Sequence, residues 1–296
     1  KERVFALVSG IVEGSWEPVH RFSEEQKIPC LFPLTALPVI SEKDWYTVYF
    51  SQGLYQEGVA VARYLNRLIE AGGRSVVQVY RDGDEGAQLA RGLKENWKGS
   101  EEALKTVILP GDERLTEGFW KELSTRHKDS IFVLWLHERD IPSLKVLGEI
   151  SERPSLVFLS ASLMNGKLGL LPERMRSFTY ITYPYRLSKD YGHQKGIVQE
   201  WLKIRGIPVM NLDLQLKVFS FTRILTETVM EMENYFYRDF FLDAVDSLRD
   251  QTYTVATYPR LSFGPGQRYA SKGCYIVKLS EGPEPEVTSV SDWVIH

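Results

Sequence analysis

The stretch Arg74-Ser-Val-Val-Gln-Val-Tyr-Arg-Asp-Gly-Asp-Glu-Gly-Ala-Gln-Leu-Ala-Arg-Gly-Leu-Lys-Glu-Asn-Trp97 decides the fold class. Its first part, Ser75–Tyr80, is rich in β-branched residues and predicts a buried strand. A polar turn follows, and Leu89, Leu93 and Trp97 then recur at four-residue spacing, which predicts a helix from Ala87 to Trp97. This is a βα unit, and in open α/β sheets ligands bind at the carboxyl ends of the strands.

The same alternation continues on both sides of this unit. Most of the predicted strands are continuous apolar runs, as expected for parallel strands covered on both faces. The predicted strands are Val4–Gly10, Ile28–Leu34, Tyr46–Ser51, Ser75–Tyr80, Lys105–Pro110, Ser130–His137, Leu156–Ser162 and Phe178–Tyr183. The predicted helices between them are Glu17–Gln26, Gln56–Ala71, Ala87–Trp97, Glu117–Thr125 and Pro142–Ile150. Strands alternating with helices predict an α/β fold with doubly wound parallel sheets.

The pattern changes after Tyr183. Three consecutive helices are predicted at Asp190–Arg205, Asp213–Glu233 and Asp239–Asp250. The end of the chain turns to β structure. Strands are predicted at Tyr253–Leu261, Gly273–Leu279 and Val287–Ile295, with a glycine-rich stretch at Phe263–Tyr269 and a terminal hairpin.

Composition excludes several classes of protein. The chain has 296 residues, 43% of them hydrophobic and 25% charged, and a net charge of −3. It therefore has no basic field that would attract nucleic acid, and its longest apolar run, Ile131–Leu136, is too short to span a bilayer. Cys30 and Cys274 lie in apolar strands, which favours two buried free thiols over a disulfide.

Motifs of catalysis and nucleotide binding are missing from the sequence. Neither a G-x-G-x-x-G fingerprint nor a P-loop occurs. Ser15 either caps a helix or binds an anionic group at its start, but Glu13 and Glu17 replace the glycines of a nucleophile elbow. His137-Glu-Arg-Asp140 follows a strand and has two interpretations: a site of acid/base or metal chemistry, or a solvated loop. No catalytic residue, metal or cofactor is predicted, and the chain is not predicted to be an enzyme.

Four stretches carry a resemblance to a known family. They are Val4–Gly10 with the loop and the Phe22–Ala36 segment that follow, Phe50–Leu68, Val76–Trp97, and Leu261–Leu279. Together they resemble the type I periplasmic solute-binding proteins, in particular the leucine/isoleucine/valine-binding family of ABC-transporter receptors for branched-chain amino acids or amides. Relative to that family the chain is expected to be incomplete at its N-terminus, because the family has further βα units before the position of Lys1.

The resemblance implies two α/β lobes joined by a three-strand hinge, with the first lobe incomplete. The N-lobe would comprise residues 1–49 and 186–259, and the C-lobe residues 50–183 and 273–280. Residues 281–296 would form a C-terminal hairpin or tail. A ligand would bind between the lobes and hold them closed.

The ligand residues implied by the resemblance match the family only in part. Ser15 matches the serine of the first cleft loop, and Thr35-Ala36 matches an Ala-Thr pair in reverse order. The turn Asp82–Glu85 stands where the family has a tyrosine, Glu138 falls near a second tyrosine, and Ser162 falls near the acid that binds an amino group. An amino acid needs partners for both its carboxylate and its ammonium group. Only partners for the carboxylate are recognisable in this sequence, so leucine is not predicted as the ligand.

Twelve side chains are expected to line the ligand site. They are Ser15, Trp16, Thr35, Ala36, Tyr55, Asp82, Asp84, His137, Glu138, Ser160, Ser162 and Tyr183. The expected function is extracytoplasmic binding of an amino acid, amide or organic acid for an ABC transporter. The alternative is a ligand-sensing or protein-interaction module that lost this binding. The expected partners are a small molecule and a permease or sensor protein, without nucleic acid or membrane insertion. A homodimer remains open, and a periplasmic location rests on the resemblance alone.

Overall fold

The structure is a computed structural model that describes residues 4–12, 14–69, 74–187, 192–247, 257–259, 261–262 and 266–295. The chain divides into two compact units. Unit 1 comprises Lys1–Gly53 and Tyr185–Lys272, and unit 2 comprises Leu54–Pro184 and Gly273–His296. The chain therefore passes from one unit to the other three times. Phe50–Gly53 are grouped with unit 1 and the terminal residues with unit 2, and the lobe boundaries given above stay a prediction.

Strands and helices alternate through most of the described chain. The strands are β1 (Leu7–Val8), β2 (Cys30–Leu31), β3 (Thr47–Ser51), β4 (Val76–Arg81), β5 (Leu104–Leu109), β6 (Ile131–Trp135), β7 (Leu156–Ser160), β8 (Thr179–Tyr183), β9 (Tyr269–Ser271), β10 (Gly273–Leu279), β11 (Val287–Ser289) and β12 (Val294–Ile295). The α-helices are α1 (Glu17–Gln26), α2 (Leu54–Ile69), α3 (Asp84–Glu95), α4 (Glu117–Arg126), α5 (Gly192–Ile204), α6 (Leu212–Glu231) and α7 (Arg238–Ser247).

Unit 1 contains a parallel sheet in the order β1-β2-β3-β9. The inner residues of β2 and β3 pack against α6 and α7 in one hydrophobic cluster, in which Phe32, Phe50, Ile224, Phe241 and Val245 are buried. A second cluster contains Trp16, Cys30 and Tyr49. Removing these apolar surfaces from water stabilises the unit.

Unit 2 contains a larger sheet in the order β5-β4-β6-β7-β8-β10-β11. Its strands β5, β4, β6, β7 and β8 are parallel, whereas β10 runs antiparallel to β8, β11 and β12. Every residue of β6 is buried, as its apolar sequence predicts for a central parallel strand. β10 pairs with β11 in an antiparallel arrangement, and the predicted last strand Val287–Ile295 is present as two short strands, β11 and β12.

Helices α2 and α3 approach each other closely through two glycines. A Cβ atom on Gly58 would lie 2.1 Å from the carbonyl oxygen of Leu89, and one on Gly92 would lie 2.2 Å from that of Tyr55. Both clashes would be with backbone atoms, which cannot move aside as a flexible side chain can. The contact between these helices therefore requires glycine at both positions.

Most elements agree with the sequence prediction. The helix Glu17–Gln26 and the strand Gly273–Leu279 have the predicted bounds, and both cysteines are free and buried. The predicted helix Pro142–Ile150 is instead a 3-10 segment, Glu138–Gly148. Pro142 lies inside it, where a missing N–H group disfavours α-helical hydrogen bonding.

Some predicted features fall outside the described residues. The predicted strand Tyr253–Leu261 lies there in large part, as does the start of the glycine-rich stretch at Phe263. The first two residues of the predicted helix Asp190–Arg205 and the last residues of the predicted helices Gln56–Ala71 and Asp239–Asp250 lie there as well. Within the ranges given above, no helix is long and apolar enough to cross a membrane.

Candidate functional site

The five parallel strands of unit 2 end at a common edge. Their last residues are Arg81, Leu109, Trp135, Ser160 and Tyr183. The segments that follow β4, β6 and β7 carry most of the predicted ligand residues of this unit. Parallel strands bring such segments together, and this edge is where ligands bind in open α/β sheets.

A buried ion pair fixes the loops at this edge. Arg81 is only 4% exposed. Its Nε and Nη2 atoms donate to the two carboxylate oxygens of Asp140 at 2.9 and 2.7 Å. The remaining donors bind the carbonyl oxygens of Pro110, Gly111 and Glu113 at 2.7–3.1 Å. The hydrogen bond to Asp140 raises the pKa of Arg81. Arg81 thus joins the ends of β4, β5 and β6, and its donors are used within the protein.

The role of Arg81 is not among the sequence predictions. The sequence signal that could have indicated it is an arginine directly after an apolar strand. Alternation along that strand places its side chain on a buried face. Its partner Asp140 lies 59 residues further along the chain, beyond the reach of any local pattern. In the sequence Asp140 stands out only as the end of the His137–Asp140 group.

His137 and Glu138 lie at the predicted edge, and each has a charged partner. His137 Nε2 is hydrogen-bonded to Glu85 Oε2 at 2.7 Å, and this contact lowers the pKa of Glu85. Lys167 Nζ lies 2.9 Å from Glu138 Oε2, and its hydrogen bond lowers the pKa of Glu138. Part of the acidity of this edge is therefore neutralised locally.

Asp82 and Asp84 remain exposed at the start of α3. The backbone N–H of Asp82 donates to the carbonyl oxygen of Leu109 at 2.8 Å, which fixes the turn without using its carboxylate. Two carboxylates close to a helix N-terminus are favoured by the helix dipole. They are accessible hydrogen-bond acceptors at this edge.

Ser160, Ser162 and Tyr183 follow or end β7 and β8. Ser160 is fully buried, and its hydroxyl donates to Glu57 Oε2 at 2.8 Å. The prediction that Ser160 faces a ligand is therefore corrected, because its hydroxyl serves an internal carboxyl group. Ser162 is half-buried and also hydrogen-bonds to Glu57. Tyr183 is half-buried at the end of β8, in register with Tyr275.

Tyr55 is directed toward α3. Its hydroxyl donates to Glu95 Oε2 at 2.8 Å, and the guanidinium carbon of Arg91 lies 5.1 Å from its ring centroid. Burial, followed by the hydrogen bond to Glu95, raises the pKa of Tyr55. These contacts are with the last turns of α3 and engage both the hydroxyl and the ring of Tyr55 within unit 2. That Tyr55 faces a ligand stays a prediction.

The predicted residues of unit 1 follow β1 and β2. Ser15 Oγ accepts a hydrogen bond from the N–H of Glu17 at 3.2 Å, at the start of α1. Thr35 Oγ1 accepts one from the N–H of Leu37 at 3.0 Å. Ala36 is exposed. The two loops are joined because the N–H of Leu34 donates to the carbonyl oxygen of Gly10 at 3.0 Å.

Trp16 does not face solvent. Its side chain is 2% exposed and packs with Cys30 and Tyr49 in the core of unit 1. The prediction of Trp16 as a ligand residue is corrected, because its indole fills the space between α1 and the sheet.

At Gly53, which has φ +57°, a Cβ atom would lie 2.3 Å from the carbonyl oxygen of Ala36. Only glycine suits this position, directly before unit 2 begins.

A further question is whether the part of the chain that the structure describes contains a metal site. No group of three or more histidine, cysteine, aspartate or glutamate side chains is arranged to hold a metal ion there. The carboxylates of the loops at the edge of unit 2 are paired with Arg81, His137 or Lys167, or are exposed. What the two edges offer is a set of hydroxyl and carboxylate groups.

Comparison by sequence finds no known protein family and no curated protein that matches the chain. Solved structures match it over nearly its whole length. A leucine-binding protein from Thermotoga maritima has a TM-score of 0.65 at 12% identity, covering 100% of this chain and 81% of that one. A branched-chain amino acid ABC transporter protein from Thermus thermophilus with bound valine has a TM-score of 0.67 at 13% identity, covering 98% and 78%.

A third solved structure is a solute-binding protein of an ABC transporter from Rhodopseudomonas palustris BisB5, in complex with 3,4-dihydroxybenzoic acid. It has a TM-score of 0.66 at 14% identity and covers 97% of this chain and 78% of that one. At these identities the likeness concerns the fold. The chain has the α/β fold of the type I periplasmic binding proteins, as predicted.

Proposed function

We propose that the chain is an extracytoplasmic solute-binding protein that binds a small amino acid, amide or organic acid for an ABC transporter. The observation that carries the proposal is the fold. It is shared over 97–100% of the chain with a leucine-binding protein, a protein with bound valine and a solute-binding protein in complex with 3,4-dihydroxybenzoic acid. A non-enzymatic role, a periplasmic location, a permease as partner and closure of the two units on the ligand belong to the same proposal.

The carboxyl edge of unit 2 supports a ligand that donates hydrogen bonds. Arg81 is saturated by Asp140 and three carbonyl groups, so it is not available as a carboxylate clamp. Asp82 and Asp84 are exposed acceptors. Within the proposed classes, a ligand with an amino or amide group is therefore favoured over a simple acid.

The experiment is a thermal-shift screen of the purified chain against amino acids, amides, aliphatic acids and aromatic acids. A ligand that binds only the folded chain stabilises it by about 2.7 kcal/mol at roughly 100 times its dissociation constant. We expect shifts among amino acids or amides. A well-folded chain that responds to no class would contradict the proposal.

Matched variants test where such a ligand binds. The double substitution Asp82→Asn with Asp84→Asn is expected to weaken binding about 10-fold or more, because charge-assisted hydrogen bonds contribute more than neutral ones. The control is Glu101→Gln with Glu102→Gln, which removes two exposed carboxylates just before β5, at the opposite edge of the sheet. Equal affinities for both variants would remove Asp82 and Asp84 from the site.

A second candidate is a ligand-sensing or protein-interaction module on the same fold. Two observations favour it: Ser160, Tyr55 and Trp16 are engaged within their own units, and unit 1 exposes several large apolar side chains. Met210 is 88% exposed, Met230 73% and Tyr237 69%. Sedimentation of the purified chain tests this candidate, because a concentration-dependent homodimer supports it and a monomer that binds solute does not.

A further inference from the structure

The first turn of α2 contains two adjacent polar side chains, Gln56 and Glu57, that are completely buried in unit 2. Gln56 Nε2 donates to the carbonyl oxygen of Gly273 at 2.9 Å. Glu57 Oε2 accepts hydrogen bonds from Ser160 Oγ at 2.8 Å and from Thr182 Oγ1. A carboxyl group placed so deeply is unfavourable unless such partners compensate for its lost hydration.

These partners lie where the chain enters and leaves unit 2. Unit 2 begins at Leu54, two residues before Gln56, and resumes at Gly273, whose carbonyl Gln56 binds. Thr182 lies two residues before Pro184, after which the chain passes back to unit 1. The chain thus crosses between the units at three points, and on the unit 2 side each of them lies in or next to residues that the first turn of α2 contains or contacts.

The surroundings of Glu57 favour its neutral form. Burial raises its pKa to about 7, although hydrogen bonds from Ser162, Thr182 and Ser160 act in the opposite direction. In the described part of unit 2, the titratable side chain that faces this carboxyl is Cys274 on β10. Its own pKa is raised, first by burial and then by the charge of Glu57. The other groups that face it are the hydroxyls of Ser160, Ser162 and Thr182 and the backbone N–H of Ser162.

Hydroxyl groups can serve both protonation states, because each can donate and accept. Thr182 Oγ1 also lies 3.2 Å from the carbonyl oxygen of Leu159. With one proton to donate, this hydroxyl bonds to Glu57 when the carboxylate is charged and can turn to Leu159 when Glu57 is protonated. Ser160 Oγ accepts the N–H of Leu163 at 3.1 Å, so it too is held while its proton reorients.

We propose that Glu57 is a proton-linked positioning residue, whose protonation sets how firmly α2 holds the strand ends next to the points where the chain passes between the units. The inference concerns unit 2 alone and does not depend on the identity of a ligand. It adds to the proposed function a dependence on pH that is built into the scaffold next to the ligand edge.

The sign of the effect follows from linkage. The pKa of Glu57 is about 7 in the folded chain and has its ordinary value of 4.5 when unfolded. The folded chain therefore binds more protons than the unfolded chain between these values, and stability falls as pH rises through this window. Below the window the carboxyl is protonated in both states, and above it the contribution of Glu57 no longer changes.

The experiment is urea unfolding at steps from pH 4.5 to 8.5, comparing the wild-type chain with Glu57→Gln. Glutamine resembles the protonated acid, so we expect the variant to lose the part of the pH dependence that corresponds to uptake of up to one proton on folding. The control Glu102→Gln removes an exposed carboxylate and should retain the wild-type profile. Coincident profiles for wild type and Glu57→Gln would overturn the proposal.

Two further measurements keep the test decisive. Hydrogen exchange of residues 54–58, 180–184 and 273–275 should be slower in Glu57→Gln than in wild type at pH 8 and similar in both at pH 5. Infrared spectra of the wild-type chain should show a buried protonated carboxyl at pH 6 that titrates near 7. This second measurement needs no variant, and the absence of such a carboxyl would also overturn the proposal.

Discussion

The two units differ in the contacts that hold the loops at the carboxyl ends of their parallel strands. In unit 2 the carboxyl edge is held by buried charged or ionisable groups: Arg81 with Asp140, and Glu57 with its hydroxyls. In unit 1 the loops after β1 and β2 are fixed in part by uncharged contacts: the N–H of Leu37 donates to Thr35 Oγ1, and the N–H of Leu34 donates to the carbonyl oxygen of Gly10. The buried ion pair of unit 1, Arg268 with Asp246, involves the residue just before β9 and not these two loops.

This difference shows where each unit is vulnerable. A buried ion pair fixes several loops at once, but losing one partner leaves an uncompensated charge. A turn made by a hydroxyl and a backbone N–H fixes only its own loop, and water can replace it when the loop is exposed. The edge of unit 2 is therefore expected to be the more rigid and the more sensitive to single substitutions.

The largest effect is expected for Asp140→Ala in unit 2. It leaves the guanidinium of Arg81 buried without its carboxylate, which typically costs about 3–5 kcal/mol of unfolding free energy. Urea unfolding measures this cost, with Asp84→Ala as the control, because Asp84 is exposed at the same edge. Arg81→Met combined with Asp140→Ala should lose less than the sum of the single substitutions. Additive losses would show that the pair is not coupled.

A smaller effect is expected for Gly58→Ala, which tests the packing of α2 on α3. The new Cβ would meet the carbonyl oxygen of Leu89 at 2.1 Å, and overpacking of this kind costs roughly 1–3 kcal/mol. Gly196→Ala in α5 of unit 1 is the matched control, because nothing lies within 4 Å of its Cβ position. Alanine there should stabilise the helix by about 0.5–1 kcal/mol. Equal changes in melting temperature would refute the close approach.

The smallest effect is expected for Ser15→Ala in unit 1. The hydroxyl accepts one N–H at the exposed start of α1, and loss of such a contact costs on the order of 0.5–1 kcal/mol. Thermal unfolding should show only a small decrease in melting temperature. The control is Ser100→Ala, because the Ser100 side chain makes no cap hydrogen bond. Ser262→Ala would not serve, because the Ser262 hydroxyl accepts a hydrogen bond from Lys272. A loss comparable to that of Asp140→Ala would abolish the contrast between the units.

The fold could be predicted from the sequence because its signals are local. The apolar run Ile131–Leu136 indicates a central strand, and the periodicity of Leu89 and Leu93 indicates the helix beside it. The 3-10 segment Glu138–Gly148 was predicted as a helix in part, since its apolar spacing is helical and Pro142 decides its geometry. The strand ends, and with them the edge of unit 2, were placed by the same signals.

The pairs at that edge could not be predicted. Arg81 meets Asp140 across 59 residues, His137 meets Glu85 across 52, and Ser160 meets Glu57 across 103. Such pairs depend on strand order and on side-chain direction, neither of which a local pattern contains. For the same reason Ser160 was expected to face a ligand, although it serves a buried carboxyl group.

One measurement tests most directly that the chain binds a solute at the carboxyl ends of its strands. Hydrogen exchange of the whole chain is compared with and without the strongest-binding member of the amino-acid, amide and organic-acid panel. Protection is expected in the segments that follow the strands, including residues 82–85, 137–138 and 161–163, and not in residues 100–104 at the opposite edge. Protection at that opposite edge, or none anywhere on saturation, would contradict the account.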